Sequence, residues 1–298
     1  EEIIVTVGAT EALFASLVGL LNPDQKVIVP APNYVIYETQ VRLAGAELIR
    51  HDVSHSNFKL EAEELKAQLE SHPEIKILLL NHPCNPTGVT YSREELEALA
   101  NVARQYDLMI VSDEIYSELT YSDNHVSMAE LAPERTILIN GTSKFYAMTG
   151  WRVGYAVGDP EIIAAMSKLT GQTTSNLTAV SQYATIEALT GPQDSVEVMR
   201  QAFEERLNTI YPLLCEVPGF DVIKPQGAFY LFPNVTKAME MKGYSDVTEF
   251  ATAILEEVGV ALITGAGFGA PENVRLSYAT DLETLKEAVR RLHQFMEN

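Results

Sequence analysis

Short runs of β-branched and other apolar residues alternate with longer segments of helical periodicity in the first half of the chain. Several runs are apolar at every position, as expected for strands that helices cover on both faces. The runs predict strands at residues 3–7, 27–29, 46–49, 75–80, 108–111, 136–139 and 153–157. We therefore expect an α/β fold in which helices lie on both sides of a mostly parallel, seven-stranded sheet.

The pattern changes after the segment T-G-P-Q, which ends at Gln193. A long amphipathic helix is predicted from about Ser195 to Glu216, and short apolar segments such as G-A-F-Y-L-F follow it. This change predicts two domains: a large one over residues 1–193, and a smaller α+β domain over residues 194–298.

The charge balance narrows the range of partners. The 298 residues include 21 Lys and Arg against 41 Asp and Glu, which gives a formal net charge of −20. This acidity disfavours nucleic acids and anionic lipid surfaces, and no apolar run reaches the length of a membrane span. We expect neither nucleic acid nor a membrane as a partner, so local cations must hold any anionic ligand.

Two further features concern the compartment and the start of the chain. Cys84 and Cys215 lie far apart, without C-x-x-C spacing and without a secretory leader, which favours a reducing, cytoplasmic location. The chain begins at Glu1, directly in a predicted strand, and we expect that a segment upstream has been removed or is not seen.

Polar residues follow several of the predicted strands, where ligands of open parallel sheets bind. Gly8, Ala9 and Thr10 stand at the start of a predicted helix, where free backbone amides attract an anion. Alternatively, Thr10 is simply the N-cap of this helix and binds no ligand. Asn85 lies in the turn N-H-P-C-N-P-T-G, and Asp113 ends a buried strand. A buried carboxylate requires a partner, either a cation or a helix N-terminus.

The segment N-G-T-S-K-F-Y-A-M-T-G-W-R-V-G-Y carries the strongest chemical signal. Lys144 follows a strand and small polar residues, and Arg152 directly precedes the next strand. A partly desolvated lysine loses its proton more readily and becomes a nucleophilic amine, whereas an arginine makes a forked contact with phosphate. An ordinary surface lysine does not account for this whole string.

This segment resembles the coenzyme-lysine signature of class I aminotransferases, which are pyridoxal-phosphate enzymes of fold type I. The stretches G-A-T, P-N-Y, N-P-T-G, D-E-I-Y, S-K and V-R-L-S-Y-A occur in the order typical of that family. The resemblance therefore covers nearly the whole chain. It implies an aminotransferase that uses pyridoxal 5'-phosphate and moves an amino group between an L-amino acid and a 2-oxo acid by a ping-pong mechanism.

The resemblance also implies roles for individual residues. Lys144 resembles the lysine that binds the coenzyme as a Schiff base and moves the substrate proton. Asp113 resembles the acid that pairs with the protonated ring nitrogen. Tyr116 and Asn85 resemble the residues that form hydrogen bonds with the phenolic oxygen of the coenzyme. Asn85 also resembles a substrate-binding residue. Tyr34 resembles the aromatic residue stacked on the ring.

The remaining implied contacts hold negatively charged groups. Ala9, Thr10, Ser143 and Arg152 resemble the phosphate ligands, and Arg275 resembles the arginine that binds the substrate α-carboxylate. The resemblance further implies cis peptide bonds before Pro32 and Pro86, as well as a homodimer. No metal ligands are expected, because the histidines show no metal-binding spacing.

Two departures and two alternatives accompany the resemblance. Gly141 stands where some relatives carry a phosphate-binding serine, so we expect one hydroxyl fewer at the phosphate. The amino-terminal segment that helps to close the substrate site in relatives is missing, and we expect coenzyme binding to tolerate its loss better than turnover does.

The alternative functions are a carbon–sulfur β-lyase and the ligand-sensing domain of a transcription regulator. Aspartate, aromatic amino acids and acylated diaminopimelate all remain open as substrates.

Overall fold

The computed structural model describes residues 2–121 and 125–298. All seven strand predictions are confirmed, and the strands belong to one sheet, in the order β1-β7-β6-β5-β4-β2-β3. Their bounds are β1 Ile3–Val7, β2 Lys26–Ala31, β3 Glu47–Asp52, β4 Ile75–Asn81, β5 Met109–Asp113, β6 Thr136–Gly141 and β7 Val153–Val157.

One strand of this sheet runs against the others. β7 pairs antiparallel with both β1 and β6, whereas the pairs among β2 to β6 are parallel. The carboxyl ends of the other strands therefore meet the amino end of β7 at one edge of the sheet. The loops that carry the predicted site residues of the large domain all lie at this edge.

Helices cover both faces of the sheet because the strands are apolar on both sides. One face packs against α1 (Gly8–Leu20), α2 (Ile36–Leu43) and α6 (Pro160–Thr173). The other packs against α3 (Ala62–Ser71), α4 (Arg93–Gln105) and α5 (Met128–Leu131). Central strand residues such as Leu78 and Leu79 alternate between these two cores, and both are fully buried.

The second half of the fold begins with two long helices. Its helices are α7 Ala179–Thr190, α8 Asp194–Cys215, α9 Thr236–Lys242, α10 Val247–Val258 and α11 Leu282–Glu297. A small antiparallel sheet, in the order β8-β10-β9, is formed by β8 Tyr230–Leu231, β9 Ile263–Thr264 and β10 Val274–Ser277. The division predicted at residue 193 falls in the link between α7 and α8, and it stays a prediction.

A shared apolar cluster joins the carboxyl-terminal elements to the edge of the large sheet. It contains buried residues of α8, α10 and α11 together with Ile115, Tyr116 and Phe145, which follow β5 and β6. The loops that carry the predicted site residues are therefore packed directly against the carboxyl-terminal part of the chain. Among the described helices, none combines the length and the apolar character needed to cross a bilayer.

Candidate active site

A cavity of about 390 Å³ opens at the edge of the large sheet where the strand ends meet. Every predicted site residue lines it, namely Ala9, Thr10, Tyr34, Asn85, Asp113, Tyr116, Ser143, Lys144, Arg152 and Arg275. A second cavity, of about 630 Å³, lies among β9, β10 and α11, and Arg275 is the one predicted site residue that borders it. The predicted groups therefore converge on the first cavity.

Asp113 occupies the carboxyl end of β5 and is buried. Its Oδ2 accepts a hydrogen bond of 2.8 Å from the hydroxyl of Tyr37, and its Oδ1 accepts one of 3.3 Å from the amide of Ile115. Both partners are neutral groups. Burial raises the pKa of Asp113 to about 6, although these hydrogen bonds and the charge of Lys144 act to lower it. The carboxyl group is thus suited to receive a further cation from the cavity.

Lys144 lies in the segment after β6, on the wall of the same cavity. Burial lowers the pKa of its ammonium group, Asp113 opposes this shift, and Arg152 and Arg275 add to it. Its Nζ lies 5.6 Å from the centroid of the Tyr116 ring. A lysine with a lowered pKa has a larger fraction of neutral, nucleophilic amine near pH 7 than an exposed one.

Backbone amides and a guanidinium group meet at one end of the cavity. Ala9 and Thr10 belong to the first turn of α1, where the amides have no partner within the helix. Arg152 stands just before β7, and its Nη1 donates a 2.9 Å hydrogen bond to the carbonyl oxygen of Thr149. Ser143 lines the same wall. This combination of donors matches a phosphate group.

Three glycines allow these donors to approach one another. Gly8 has a φ of +75°, and a Cβ on it would collide with the guanidinium group of Arg152. A Cβ on Gly154 would overlap the backbone of Gly8 and Ala9. A Cβ on Gly141 would lie 2.7 Å from the carbonyl oxygen of Val153, so close strand packing explains why this position carries no serine.

The opposite wall comes partly from the small sheet. The hydroxyls of Tyr116 and Tyr230 share a hydrogen bond of 2.8 Å. The Nη1 of Arg275 donates to Asn85 Oδ1 at 2.7 Å, and its guanidinium carbon lies 4.5 Å from the centroid of the Tyr230 ring. The Nε of Arg275 is buried and has no hydrogen-bond partner among the described residues, which leaves this donor for a ligand.

Cis peptide bonds precede Pro32 and Pro86, as predicted. A third cis bond, which sequence reasoning did not identify, precedes Pro83 in the turn that carries Asn85.

A second buried carboxylate, Glu114, lies next to Asp113 but faces away from the cavity. Its Oε2 is 2.7 Å from His125 Nε2, and its Oε1 accepts hydrogen bonds from the hydroxyl of Ser112 and the amide of Met128 at 2.8 and 3.0 Å. His82 Nε2 lies 3.7 Å from the same oxygen. Burial acts to raise the pKa of Glu114, but the hydrogen bonds and charges of the two histidines outweigh it, so this pKa is well below its usual range.

Sequence reasoning missed several groups at the site. Tyr37, Asn81 and Tyr230 line the cavity beside the predicted residues. Tyr37 lies three residues after Tyr34, and its amide donates a 3.2 Å hydrogen bond to the carbonyl oxygen of Tyr34. Asn81 is the last residue of β4, and attention to strand ends alone could have identified it.

Comparisons with known proteins agree with this geometry. Residues 1–292 match the family described as aminotransferase class I and II. An asparagine–oxo-acid transaminase of Streptococcus mutans is 57% identical over 302 aligned residues, which include 100% of this chain and 76% of that protein. An aspartate aminotransferase of Geobacillus stearothermophilus is 52% identical, with 99% of this chain and 76% of that protein covered.

Solved structures give the same result for the fold. The aspartate aminotransferase of Thermus thermophilus with maleate has a TM-score of 0.92 and 39% identity, covering 98% of this chain and 75% of that one. An aromatic aminotransferase of Pyrococcus horikoshii has a TM-score of 0.93 and 34% identity, covering 99% of this chain and 79% of that one. The chain therefore belongs to the aminotransferase class I and II family, has the type I fold of that family, and is an enzyme of amino-group transfer.

Proposed function

We propose that this protein uses pyridoxal 5'-phosphate to move an amino group from L-aspartate or L-asparagine to a 2-oxo acid. The observation that carries the proposal is the buried carboxylate of Asp113, whose hydrogen-bond partners are neutral and which shares one cavity with Lys144. The proposed donors follow the printed names of the relatives at 57% and 52% identity.

The residues of the cavity fit this coenzyme. A buried acid suits a protonated ring nitrogen, an amine of lowered pKa suits an aldehyde, and the amide and guanidinium donors suit a phosphate. The cavity of about 390 Å³ lies in the range of roughly 300–1,000 Å³ that small ligands occupy. When bound, the coenzyme supplies an electrophilic carbon and an electron-withdrawing ring.

Each residue then has a defined task toward that group. Asp113 holds the proton on the ring nitrogen, because an ionised carboxylate stabilises a cation beside it. Lys144 would supply the amine that holds the coenzyme, and its Nζ would carry the proton that moves to and from the substrate α-carbon. Arg152, Ser143 and the amides of Ala9 and Thr10 hold the phosphate.

The aromatic and amide groups orient the ring and the substrate. Tyr34 would pack against the ring of the coenzyme, and Tyr116 and Asn85 would donate hydrogen bonds to its phenolic oxygen. Arg275 binds the α-carboxylate of the substrate as a forked pair, using in part the Nε that has no partner among the described residues. Asn85, which accepts a hydrogen bond from Arg275, lies between the two groups.

The test of this function follows both products. The protein is supplied with pyridoxal phosphate, L-aspartate and 2-oxoglutarate, and we expect equimolar oxaloacetate and glutamate. Lys144→Ala should abolish the transfer, whereas Lys168→Ala, a change at an exposed lysine of α6, should not affect it. In a parallel reaction with L-cysteine and no 2-oxo acid, release of pyruvate, ammonia and sulfide in place of any transfer from aspartate would indicate β-elimination and overturn the proposal.

We also propose a cytoplasmic homodimer. Apolar side chains on α7 support an interface, because Val180, Tyr183 and Ile186 are 70%, 75% and 56% exposed. Light scattering should give twice the chain mass of 32.9 kDa, and Tyr183→Lys should shift the protein toward the monomer. A single-chain mass for the unaltered protein would contradict this part of the proposal.

A further inference from the structure

We propose that Tyr37 is a positioning residue for the coenzyme, because its hydroxyl holds the carboxylate of Asp113 in place and keeps it ready for the ring nitrogen. The inference rests on the proposed function. Tyr37 lies within α2, outside the sequence motifs on which the resemblance rests.

The position of Tyr37 makes it a link between two proposed coenzyme contacts. It belongs to the first turn of α2 and is fully buried. Its hydroxyl donates the 2.8 Å hydrogen bond to Asp113 Oδ2, and its ring stands edge-on to Tyr34, with centroids 5.7 Å apart at 88°. One side chain therefore contacts both the acid for the ring nitrogen and the aromatic residue for the ring face.

The backbone of Asp113 is fixed separately. Its carbonyl oxygen accepts hydrogen bonds from Asn81 Nδ2 at 2.8 Å and from the amide of His82 at 3.2 Å. These contacts fix the main chain but leave rotation of the carboxylate free. Tyr37 and the amide of Ile115 are the groups that hold the two carboxylate oxygens. Each oxygen keeps a lone pair for a second partner.

The phenol also determines the charge of the acid. Burial and the neighbouring Asp113 raise the pKa of Tyr37 well above its usual value, so the hydroxyl stays neutral and acts as a donor. A donor favours the ionised carboxylate, the form that pairs with a protonated ring nitrogen. The other titratable groups whose charges act on Asp113 are Lys144, Tyr116 and Cys84, together with Glu114, whose carboxylate points away.

The experiment removes one oxygen atom and measures coenzyme binding by absorbance across pH. Tyr37→Phe is compared with Tyr91→Phe as the control, because both changes delete a buried hydroxyl. The hydroxyl of Tyr91 accepts a 2.9 Å hydrogen bond from the amide of Leu60 and lies outside this cavity. Both changes are also made in the Asp113→Asn background. Circular dichroism verifies that the five variants, Asp113→Asn alone included, are folded.

We expect Tyr37→Phe to weaken coenzyme binding by about tenfold or more at pH 7, as is typical when a hydrogen bond to a charged group is lost. The acid limit of binding, which is the pH below which coenzyme no longer binds, should rise by about one pH unit, because the carboxyl group of Asp113 then protonates more readily. Tyr91→Phe should change affinity less than twofold. In the Asp113→Asn background, Tyr37→Phe should have no further effect on the acid limit.

Equal affinity and equal pH limits for Tyr37→Phe and Tyr91→Phe would overturn the inference. So would an unchanged effect of Tyr37→Phe in the Asp113→Asn background, because the hydroxyl would then act without Asp113. Failure of the unaltered protein to bind coenzyme at one per chain would instead refute the proposed function, which keeps the two failures distinguishable.

Discussion

Asp113 and Glu114 are consecutive buried carboxylates at the end of one strand, yet their environments shift their pKa values in opposite directions. Asp113 faces the cavity, and burial raises its pKa to about 6. Glu114 faces away, and its hydrogen bonds and charge interactions with His125 and His82 outweigh burial and lower its pKa. Asp113 is the last residue of β5, and Glu114 is the first residue after that strand.

The difference lies in what each side supplies. Around Glu114 the protein supplies two imidazoles, the hydroxyls of Ser112 and Ser127, and an amide, so that groups of the fold itself satisfy the carboxylate. Around Asp113 the hydrogen bonds come from a phenol and one amide. A buried charge of this kind is costly until a cation arrives. This contrast suits Glu114 to a structural role and leaves Asp113 available to a ligand in the cavity, as we propose.

The largest effect should come from Asp113→Asn. The amide keeps the shape of the side chain but removes the charge that we propose pairs with the ring nitrogen. Because loss of one partner from a buried ion pair costs about 3–5 kcal/mol, kcat/KM should fall by roughly a hundred- to a thousandfold or more. Steady-state kinetics with coenzyme at saturation measures this. A loss below tenfold would show that Asp113 is not the partner of the coenzyme ring.

Glu114→Gln should lower the stability of the protein and leave coenzyme binding almost unchanged. The amide cannot accept all the donors that face Glu114, so the free energy of unfolding should fall by about 3 kcal/mol and Tm by about 6 °C. Calorimetry of the coenzyme-free protein measures the loss. Coenzyme affinity should stay within about threefold of the unaltered value. A large drop in affinity with unchanged Tm would reverse the roles assigned to the two carboxylates.

Without coenzyme, Asp113→Asn should stabilise the protein. The folded-state pKa of about 6 exceeds the ordinary value of 3.8, so the stability that protonated Asp113 contributes is lost as pH rises through about 6. The variant avoids this loss and should gain about 3 kcal/mol at pH 8, because each unit of pKa difference is worth about 1.4 kcal/mol, with a smaller gain at pH 5. Urea unfolding at the two pH values measures the difference. An equal gain at both pH values would contradict the assigned pKa.

The smallest effect should come from His82→Gln. Burial lowers the pKa of His82 against the opposing influence of Glu114, so the folded protein holds this imidazole neutral below its ordinary value of 6.5. Stability should therefore fall in the unaltered protein as pH drops below about 6.5, and the variant should lose about 1 kcal/mol less between pH 7 and 5. Thermal unfolding at both pH values tests this, with His55→Gln at an exposed histidine as the control.

Much of the large sheet could be predicted because its strands are apolar on both faces. Runs such as 75–80 show this directly, and the residues after each run led to Asp113, Lys144 and Arg152. The reversed direction of β7 could not be predicted, since strand pairing depends on tertiary contacts that a local pattern does not record. The strands β8 and β9 have two residues each, too few for any periodicity.

The residues that sequence reasoning missed share one cause. His82, Glu114 and His125 come together only through the fold, and their spacing along the chain matches no pattern. Tyr37 lies within a helix rather than after a strand, so attention to strand ends passed over it. Side chains that support other side chains leave weaker sequence signals than those that meet the ligand.

The reversed β7 has a consequence for how this chain can change in evolution. The connection 142–152 leaves β6 and returns along β7, and it carries both Lys144 and Arg152. Its two ends are fixed by neighbouring strands, so an inserted or deleted residue would displace the amine relative to the guanidinium group. Length variation should accumulate in other surface loops, while this segment keeps a constant number of residues among functional descendants.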